Sequence, residues 1–295
     1  MNTDIATIEE YECVVCGYKA SATGAGEWGA CRGNTARYRD RLHNLWKCPR
    51  CLTIHNVDPV DFADIYRDYP LNKRRLDVFA RGTLRNLLGR LRRAGLAKEA
   101  SILDYGCGNG VFIQYLKEKG YPRVEGYDPF VAPFSKMPEH QFECVVANDV
   151  IEHVSDPRIT IRECTRLVKP GGLLYLGTAD SEPVDMSNLD PHIMRLHQPF
   201  HRVIITQKTL LALAEETGFE LVHAYRRSYM DTLIPFSSYR FLDEFSKALD
   251  HDMDMMLQPA AAKAMLRHPQ LWFYAYFGYF FPSAFEPAVV LRRLS

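Results

Sequence analysis

Apolar positions change their period along this chain. Between residues 60 and 97, Leu76, Phe79, Leu84, Leu87, Leu88 and Leu91 recur at spacings of three and four. Lys73, Arg74, Arg81, Arg85, Arg92 and Arg93 lie opposite. That stripe predicts an amphipathic helical segment. From residue 100 the pattern alternates. Short apolar runs near 101–105, 124–127, 143–148, 172–178, 219–227 and 288–293 predict strands, and helical spacing near 110–119, 156–168 and 206–217 predicts the helices between them. Such alternation predicts an α/β fold with a doubly wound, mostly parallel sheet covered on both faces. Only 13 residues separate Asp128 from Phe142, and Pro129, Pro133 and Pro138 fall among them. That is too short and too proline-rich for a helix plus a full strand, so one edge strand should be short or missing.

The first strand, Ser101–Tyr105, runs into Asp104-Tyr-Gly-Cys-Gly-Asn-Gly110, and helical spacing resumes at Val111. A glycine-rich turn therefore joins a strand to a helix. Without Cβ atoms, Gly106, Gly108 and Gly110 let the backbone turn sharply and a ligand approach it. Asp128 ends the second strand-like run, where a carboxylate can accept from the two hydroxyls of a ribose. Two ligand classes fit this plan. A dinucleotide wants G-x-G-x-x-G with pyrophosphate at the helix N-terminus. This chain has G-x-G-x-G behind an acid, and Asp104 would repel pyrophosphate but suit a cationic amino group.

At these residues the chain resembles the class I S-adenosylmethionine-dependent methyltransferases, whose first motif reads acid-x-Gly-x-Gly-x-Gly. Phe142–Asp149 followed by Val150–Pro157 is similar to that family's fourth strand and the acidic-His element after it. Arg166–Leu176, with Lys-Pro-Gly-Gly at its centre, is similar to its turn into the fifth strand. His201–Phe219 resembles a stretch of the subgroup that acts on small molecules. Together the motifs cover about half of the chain. The resemblance implies a Rossmann-like core and S-adenosyl-L-methionine as cofactor. It places Asp104, Gly106, Gly108, Gly110, Asp128, Asn148 and Asp149 around that cofactor. In this fold a sixth strand ends at the carboxyl edge of the sheet and a seventh returns antiparallel beside it. Phe219–Tyr225 and Ala288–Arg292 fit those roles, which leaves 230–286 as an insertion on the substrate side. The insertion is rich in Met and aromatics, and Trp272–Phe281 reads W-F-Y-A-Y-F-G-Y-F-F. Phe273, Phe277, Phe280 and Phe281 share a helical stripe that can serve as the core of a cap, but a run dense on all sides exceeds what one packed face needs. The excess predicts a pocket lining or a homodimer contact, ahead of a membrane surface.

Four of the eight cysteines form two knuckles, Cys13-Val-Val-Cys16 and Cys48-Pro-Arg-Cys51, with 31 residues between them. Two C-x-x-C turns can aim four thiolates at one ion, so a structural Zn2+ held by Cys13, Cys16, Cys48 and Cys51 is expected. Redox-active pairs compete with that reading but lack a thioredoxin-like setting. Some methyltransferases of sugars and natural products carry a similar ribbon, whose second knuckle leads through a Pro into a helix like Phe62–Tyr69. A zinc-bearing rRNA methyltransferase family has tighter cysteine spacing. The expected organisation is a zinc ribbon over 1–56, a helical linker or lid over 57–99, a core over 100–229 plus 287–295, and a helical aromatic-rich cap over 230–286.

Composition narrows the partners. Lys+Arg and Asp+Glu are both 36, so formal charge is zero and nucleic acid is not the expected partner. The basic helical face is read as a solvated surface rather than a phosphate track. The acidic start, Met1–Glu10, lacks the apolar core of a signal peptide, and no apolar run is long enough to span a membrane. A cytoplasmic protein with a small-molecule substrate is the expectation. His153, opening the helix after the fourth strand, and His201 on the loop after the fifth are the candidate bases. Glu152 and His197 lie beside them. The leading function is methyl transfer to a small, partly apolar or aromatic biosynthetic intermediate. An RNA methyltransferase and a non-catalytic scaffold of the same fold are the alternatives.

Overall fold

The computed structural model describes residues 10–21, 26–67, 69–256, 258, 261–281 and 286–295. The signal-free reading of residues 1–9, and the parts of the ribbon and cap that fall on 22–25, 257, 259–260 and 282–285, lie outside the described residues.

The N-terminal ribbon holds five strands: β1 (Glu10–Glu12), β2 (Lys19–Ser21), β3 (Glu27–Arg32), β4 (Leu42–Lys47) and β5 (Ile54–Asn56). β1 and β2 pair as a hairpin that carries the first knuckle. The other three form an antiparallel sheet with a distant fourth strand, in the order β10-β5-β4-β3. β10 is Val203–Ile204, on the segment after the core strand Val168–Gly177. The ribbon is thus stitched to the core by main-chain pairing.

The helical segment predicted over 60–97 is broken. It comprises α1 (Phe62–Tyr66), a 3-10 turn at Pro70–Lys73, and α2 (Val78–Arg93). Pro70 supplies no N–H to continue a helix. α2 starts afresh where Asp77 accepts from Ala80 N at 2.8 Å. Leu84, Leu87, Leu88 and Leu91 pack with Phe112 and Leu116 in the core of one sheet face. Phe79, part of the predicted stripe, is exposed.

The core sheet has six strands: β6 (Ser101–Tyr105), β7 (Arg123–Tyr127), β8 (Phe142–Asn148), β9 (Val168–Gly177), β11 (Phe219–Tyr225) and β12 (Ala288–Arg293). Their order is β11-β12-β9-β8-β6-β7. β6 to β9 pair in parallel, and β12 runs antiparallel between β9 and β11. Helices α3 (Val111–Glu118), α4 (Pro157–Leu167), the short α5 (Ile193–Leu196) and α6 (Gln207–Glu216) fill the connections. Among the described residues nothing pairs outside β7. The chain makes a 3-10 turn there, Ala132–Phe134, and Phe134 O accepts from Asp128 N at 2.9 Å. The short proline-rich spacer leaves no room for more.

After β11 come α7 (Tyr239–Ala248), α8 (Met253–Met256), α9 (Ala262–Arg267), α10 (Gln270–Phe277) and a 3-10 turn, Gly278–Phe280. Phe241, Ala264, Met265, Leu271 and Ala275 give these helices a core of their own. β12 opens with Ala288 beside Gly177 and Tyr225, so both ends of the insertion meet the carboxyl edge of the sheet. The aromatic stripe turns outward. Phe273, Phe277, Phe280 and Phe281 are 49%, 50%, 65% and 46% exposed, and none of them lines the cavity described below. Of the run expected to face the substrate cavity in part, only Trp272 lines it, and Phe277 is not one of its wall residues. No described helix is long and apolar enough to cross a membrane.

Candidate functional site

A single cavity of about 1190 Å3 opens at the carboxyl edge of the core sheet. At its floor, β6 delivers Asp104 and the glycine turn. Gly106 (φ 77°) lies so close to Val150 that a Cβ would sit 2.4 Å from its Cγ2. Gly108 (φ 51°) has nothing within 4 Å of that position and lines the cavity, so it is where the backbone lies open to a ligand. Gly110 does not line it; it caps α3 in a left-handed conformation beneath Phe134. Gly106 N and Cys107 N donate to Tyr127 O at 2.7 and 3.1 Å, which ties the turn to the tip of β7. There Asp128 accepts from Gly108 N at 3.0 Å and Phe130 N at 2.9 Å, one bond per carboxylate oxygen. Each oxygen keeps a second lone pair. Asp104 is buried, and desolvation, with the negative charge of Asp128 behind it, pushes its carboxyl up to about 7.

Asn148 is the last residue of the neighbouring strand, β8, and Asp149 follows it directly. Gly177 makes room for Asn148, whose Oδ1 would lie 2.2 Å from a Cβ there. Asn148 Nδ2 donates to Asp149 Oδ2 at 2.8 Å, and Asp149 takes a left-handed φ of 55° while its N–H reaches Gly177 O. Asp149 opens into the cavity yet is hemmed in by protein. Burial raises its carboxyl to about 6, against the opposing pull of Arg74 and a Tyr229 hydrogen bond. Neither Arg74 nor Tyr229 was legible as a cavity residue. Arg74 was grouped with the solvated basic face, but it precedes α2 and lines the cavity beside Tyr229.

The opposite wall carries three histidines whose rings touch. Ring centroids of His153 and His201 lie 4.6 Å apart, and those of His197 and His201 5.1 Å apart. His153 Nδ1 meets Tyr66 Oη at 2.8 Å. His153 and Glu152 occupy the turn before α4, which starts only at Pro157 behind its cap Asp156, so they do not open that helix. Thr178 Oγ1 donates to Glu152 at 2.9 Å, and Glu152, His153 and His201 each bring one polar atom within 4.8 Å of the others. His201 Nδ1 lies 2.7 Å from Arg195 O; a carbonyl only accepts, so the neutral ring carries its lone pair on Nε2. His197 Nδ1 meets Asn34 Oδ1 at 2.7 Å, and its Nε2 meets Tyr69 Oη at 3.1 Å. Burial drives His153 down to about 4 and His197 and His201 well below the usual imidazole range, so all three are neutral at pH 7. Asn34 had no signal in the sequence that tied it to this wall, whereas Tyr66 and Tyr69 lie in the Phe62–Tyr69 segment that resembles a helix of ribbon-bearing methyltransferases.

Above the histidines the cavity is apolar. Phe236, Phe241, Phe245, Met253, Met256 and Met265 from the insertion line it.

The four knuckle cysteines gather away from the cavity. Cys13 Sγ lies 3.5 Å from Cys51 Sγ and Cys16 Sγ 3.6 Å from Cys48 Sγ, with all four sulfurs within 4.8 Å of one another. Tetrahedral zinc with Zn–S bonds near 2.3 Å needs sulfurs about 3.8 Å apart, so the quartet fits that ion. Each knuckle closes through a matching turn: Gly17 N donates to Cys13 O at 2.8 Å and Leu52 N to Cys48 O at 2.9 Å. Gly17 and Leu52 both take positive φ, 68° and 59°. Cys13 and Cys48 are buried in the same core as the sheet face beneath α4 and α6.

Comparison with known proteins agrees with this geometry. A ubiquinone biosynthesis O-methyltransferase of Pseudomonas paraeruginosa is 36% identical over 115 residues, 31% of this chain and 49% of the relative. The chain thus spans about half the length of the curated relatives it matches. Among solved structures, an S-adenosylmethionine-dependent methyltransferase from Mesorhizobium loti is similar at 16% identity and a TM-score of 0.42, over 70% of this chain and 98% of that one. The N-methyltransferase NodS from Bradyrhizobium japonicum, in complex with S-adenosyl-L-homocysteine, is similar at 14% identity and a TM-score of 0.41, over 77% and 92%. Residues 73–224, just over half of the chain, match the family model described as a methyltransferase domain, and the chain belongs to the class I S-adenosylmethionine-dependent methyltransferases.

Proposed function

We propose that this chain transfers the methyl group of S-adenosylmethionine to a hydroxyl of a small, partly apolar or aromatic molecule. The observation that carries the reading is the single cavity that joins Asp104, Gly108 and Asp128 to His153 and His201 beneath an apolar cap. In this reading Asp104 takes the cofactor's ammonium group, and Asp128 offers its free lone pairs to the ribose hydroxyls. Gly106 and Gly110 shape the turn, Gly108 gives backbone access, and Asn148 and Asp149 border the space beside it. Relatives named for ubiquinone biosynthesis O-methylation support an oxygen acceptor.

Bound S-adenosylmethionine supplies a methyl group on a positively charged sulfur. The chain's own residues hold the acceptor, exclude water and take its proton. His201 is the first candidate, because its Nε2 lone pair is free while Nδ1 is tied to Arg195 O. His153, held by Tyr66, is the second. Charging a buried imidazole is costly in isolation. Here the cost is offset, because the cavity loses the sulfonium charge in the same reaction and keeps its net charge. Asn34 and Tyr69 fix the ring of His197 and so the shape of this wall.

A zinc ion held by Cys13, Cys16, Cys48 and Cys51 belongs to the same proposal. It would be structural, since none of the four cysteines lines the cavity. An RNA substrate is less well supported. Arg81 pairs with Glu118 at 3.1 Å and Arg92 donates to Tyr121 Oη at 3.1 Å, so part of the α2 basic face is already engaged.

Calorimetry with S-adenosylmethionine, followed by mass spectrometry of candidate hydroxylated aromatics incubated with enzyme and cofactor, tests the reading. A product one methyl group heavier is expected. Absence of cofactor binding would end it.

A further inference from the structure

The outward aromatic face of the insertion is unaccounted for by methyl transfer. Phe273 lies 5.2 Å from Phe277 and 5.9 Å from Phe281 between ring centroids, so these rings form one surface cluster, with Phe280 65% exposed next to it. Leu266 is 81% exposed and Trp272 44% exposed, and both also line the cavity. They therefore form its rim, and Trp272 leads directly into Phe273 of the aromatic cluster on α10.

Charge decides what covers this face. From residue 255 through 285 the sequence has no Asp or Glu, whereas Lys263 and Arg267 are both exposed. Acids on neighbouring elements are engaged elsewhere. Asp243 and Glu244 on α7 pair with Lys247 and Arg240, and Asp254 accepts from Ala36 N at 2.8 Å. A twofold contact would present this patch to itself. Cations would then meet cations across the seam, with no acid of the run to answer them. An apolar face rich in Trp, Tyr and Phe and edged with cations instead suits the boundary between headgroups and acyl chains.

We propose that this face docks the protein on the surface of an anionic phospholipid bilayer and holds the cavity mouth against it. Phe273, Phe277, Phe280 and Leu266 enter the headgroup region, and Lys263 and Arg267 meet lipid phosphates. The apolar end of a membrane-resident substrate can then pass between Leu266 and Trp272 toward Met256 and Met265. That last role rests on the methyl-transfer reading. Docking itself does not, and it is measured without substrate or cofactor, so the two can fail separately.

The test is co-sedimentation of the intact chain with phosphatidylcholine vesicles with and without phosphatidylglycerol. Binding is expected with phosphatidylglycerol and should weaken with added salt. The triple variant Phe273→Ser, Phe277→Ser, Phe280→Ser should lose at least tenfold in vesicle affinity, and Arg267→Glu at least about fivefold. Unchanged circular dichroism and melting temperature in both variants show that they fold. No binding to anionic vesicles, or equal binding by the triple variant, overturns the proposal. A dimer in solution that the triple variant dissolves, together with no vesicle binding, would give the face to a second copy of this chain.

Discussion

Asn34, two residues past β3 of the cysteine ribbon, holds His197 on the wall of the cavity through a 2.7 Å contact between Oδ1 and Nδ1. Both side chains are buried, and His197 sits in a left-handed backbone conformation with φ 40°. The ribbon is therefore part of the site's support. Asn34→Ala should lower kcat roughly tenfold or more while S-adenosylmethionine affinity stays within about twofold, because the contact is remote from Gly108 and Asp128. Steady-state kinetics beside calorimetry separates the two. Equal loss in both would mean that the substitution simply unfolds the ribbon.

Asp128 is the residue on which cofactor recognition rests in the proposed reading. Hydrogen bonds to a charged acceptor contribute about 1.5–3 kcal/mol each, so Asp128→Ala should weaken S-adenosylmethionine at least tenfold. Calorimetry that finds the variant binding as well as the wild type would remove Asp128 from the site.

Cofactor binding should depend on pH through Asp104. Its carboxyl is raised to about 7 by burial, so the unliganded protein holds much of it protonated near neutrality. A cationic ammonium favours the carboxylate. Affinity should therefore fall as pH drops below about 7, by up to tenfold per unit. Stability of the unliganded protein runs the other way. The raised group contributes stability that is fully present below its unfolded value near 4 and is lost as pH rises through about 7. Asp104→Asn should bind more weakly and flatten both profiles, read by calorimetry and thermal melts at pH 5.5 to 8.5.

His201 and His153 can be ranked by chemistry. His201→Asn should cut kcat by about 10²–10⁴ with cofactor affinity kept, the range for loss of a positioned base. His153→Asn should cost less. A chelator-treated wild type whose rate returns with Mg2+, while the His201 variant does not respond, would instead make Glu152, His153 and His201 a cation site.

The cysteine quartet predicts one zinc per chain by metal analysis. Cys48→Ser should lose the ion and loosen the ribbon, since metal binding and local folding are coupled. Through β10 and Asn34 the loss should spread to the cavity, lowering kcat as well as the melting temperature. Full activity with no metal would show that the four thiols hold the ribbon without it.

Much of this was local enough to read from the chain. The strands and helices of the core follow from periodicity, because burying one face sets a spacing of two or 3.6 residues. The glycine turn was legible because a tight strand-to-helix turn needs residues that take positive φ, as Gly106, Gly108 and Gly110 do. The two knuckles were legible for the same reason: each is a closed turn of four residues. Even the missing edge strand showed, as 13 residues and three prolines with nowhere to put it.

What the sequence could not carry was pairing across distance. Residue order does not say that Val203–Ile204 would join the ribbon's sheet, that Asn34 would reach His197, or that Arg74 would leave its basic stripe for Tyr229 and Asp149. Nor does a helical stripe say which way it faces. Phe273 and Phe277 have the spacing of a packed face, yet α10 buries Leu271 and Ala275 instead and leaves the phenylalanines outside. Periodicity records that one side of a helix differs from the other. Which side is covered depends on where α7 and α9 lie, and only the folded chain decides that.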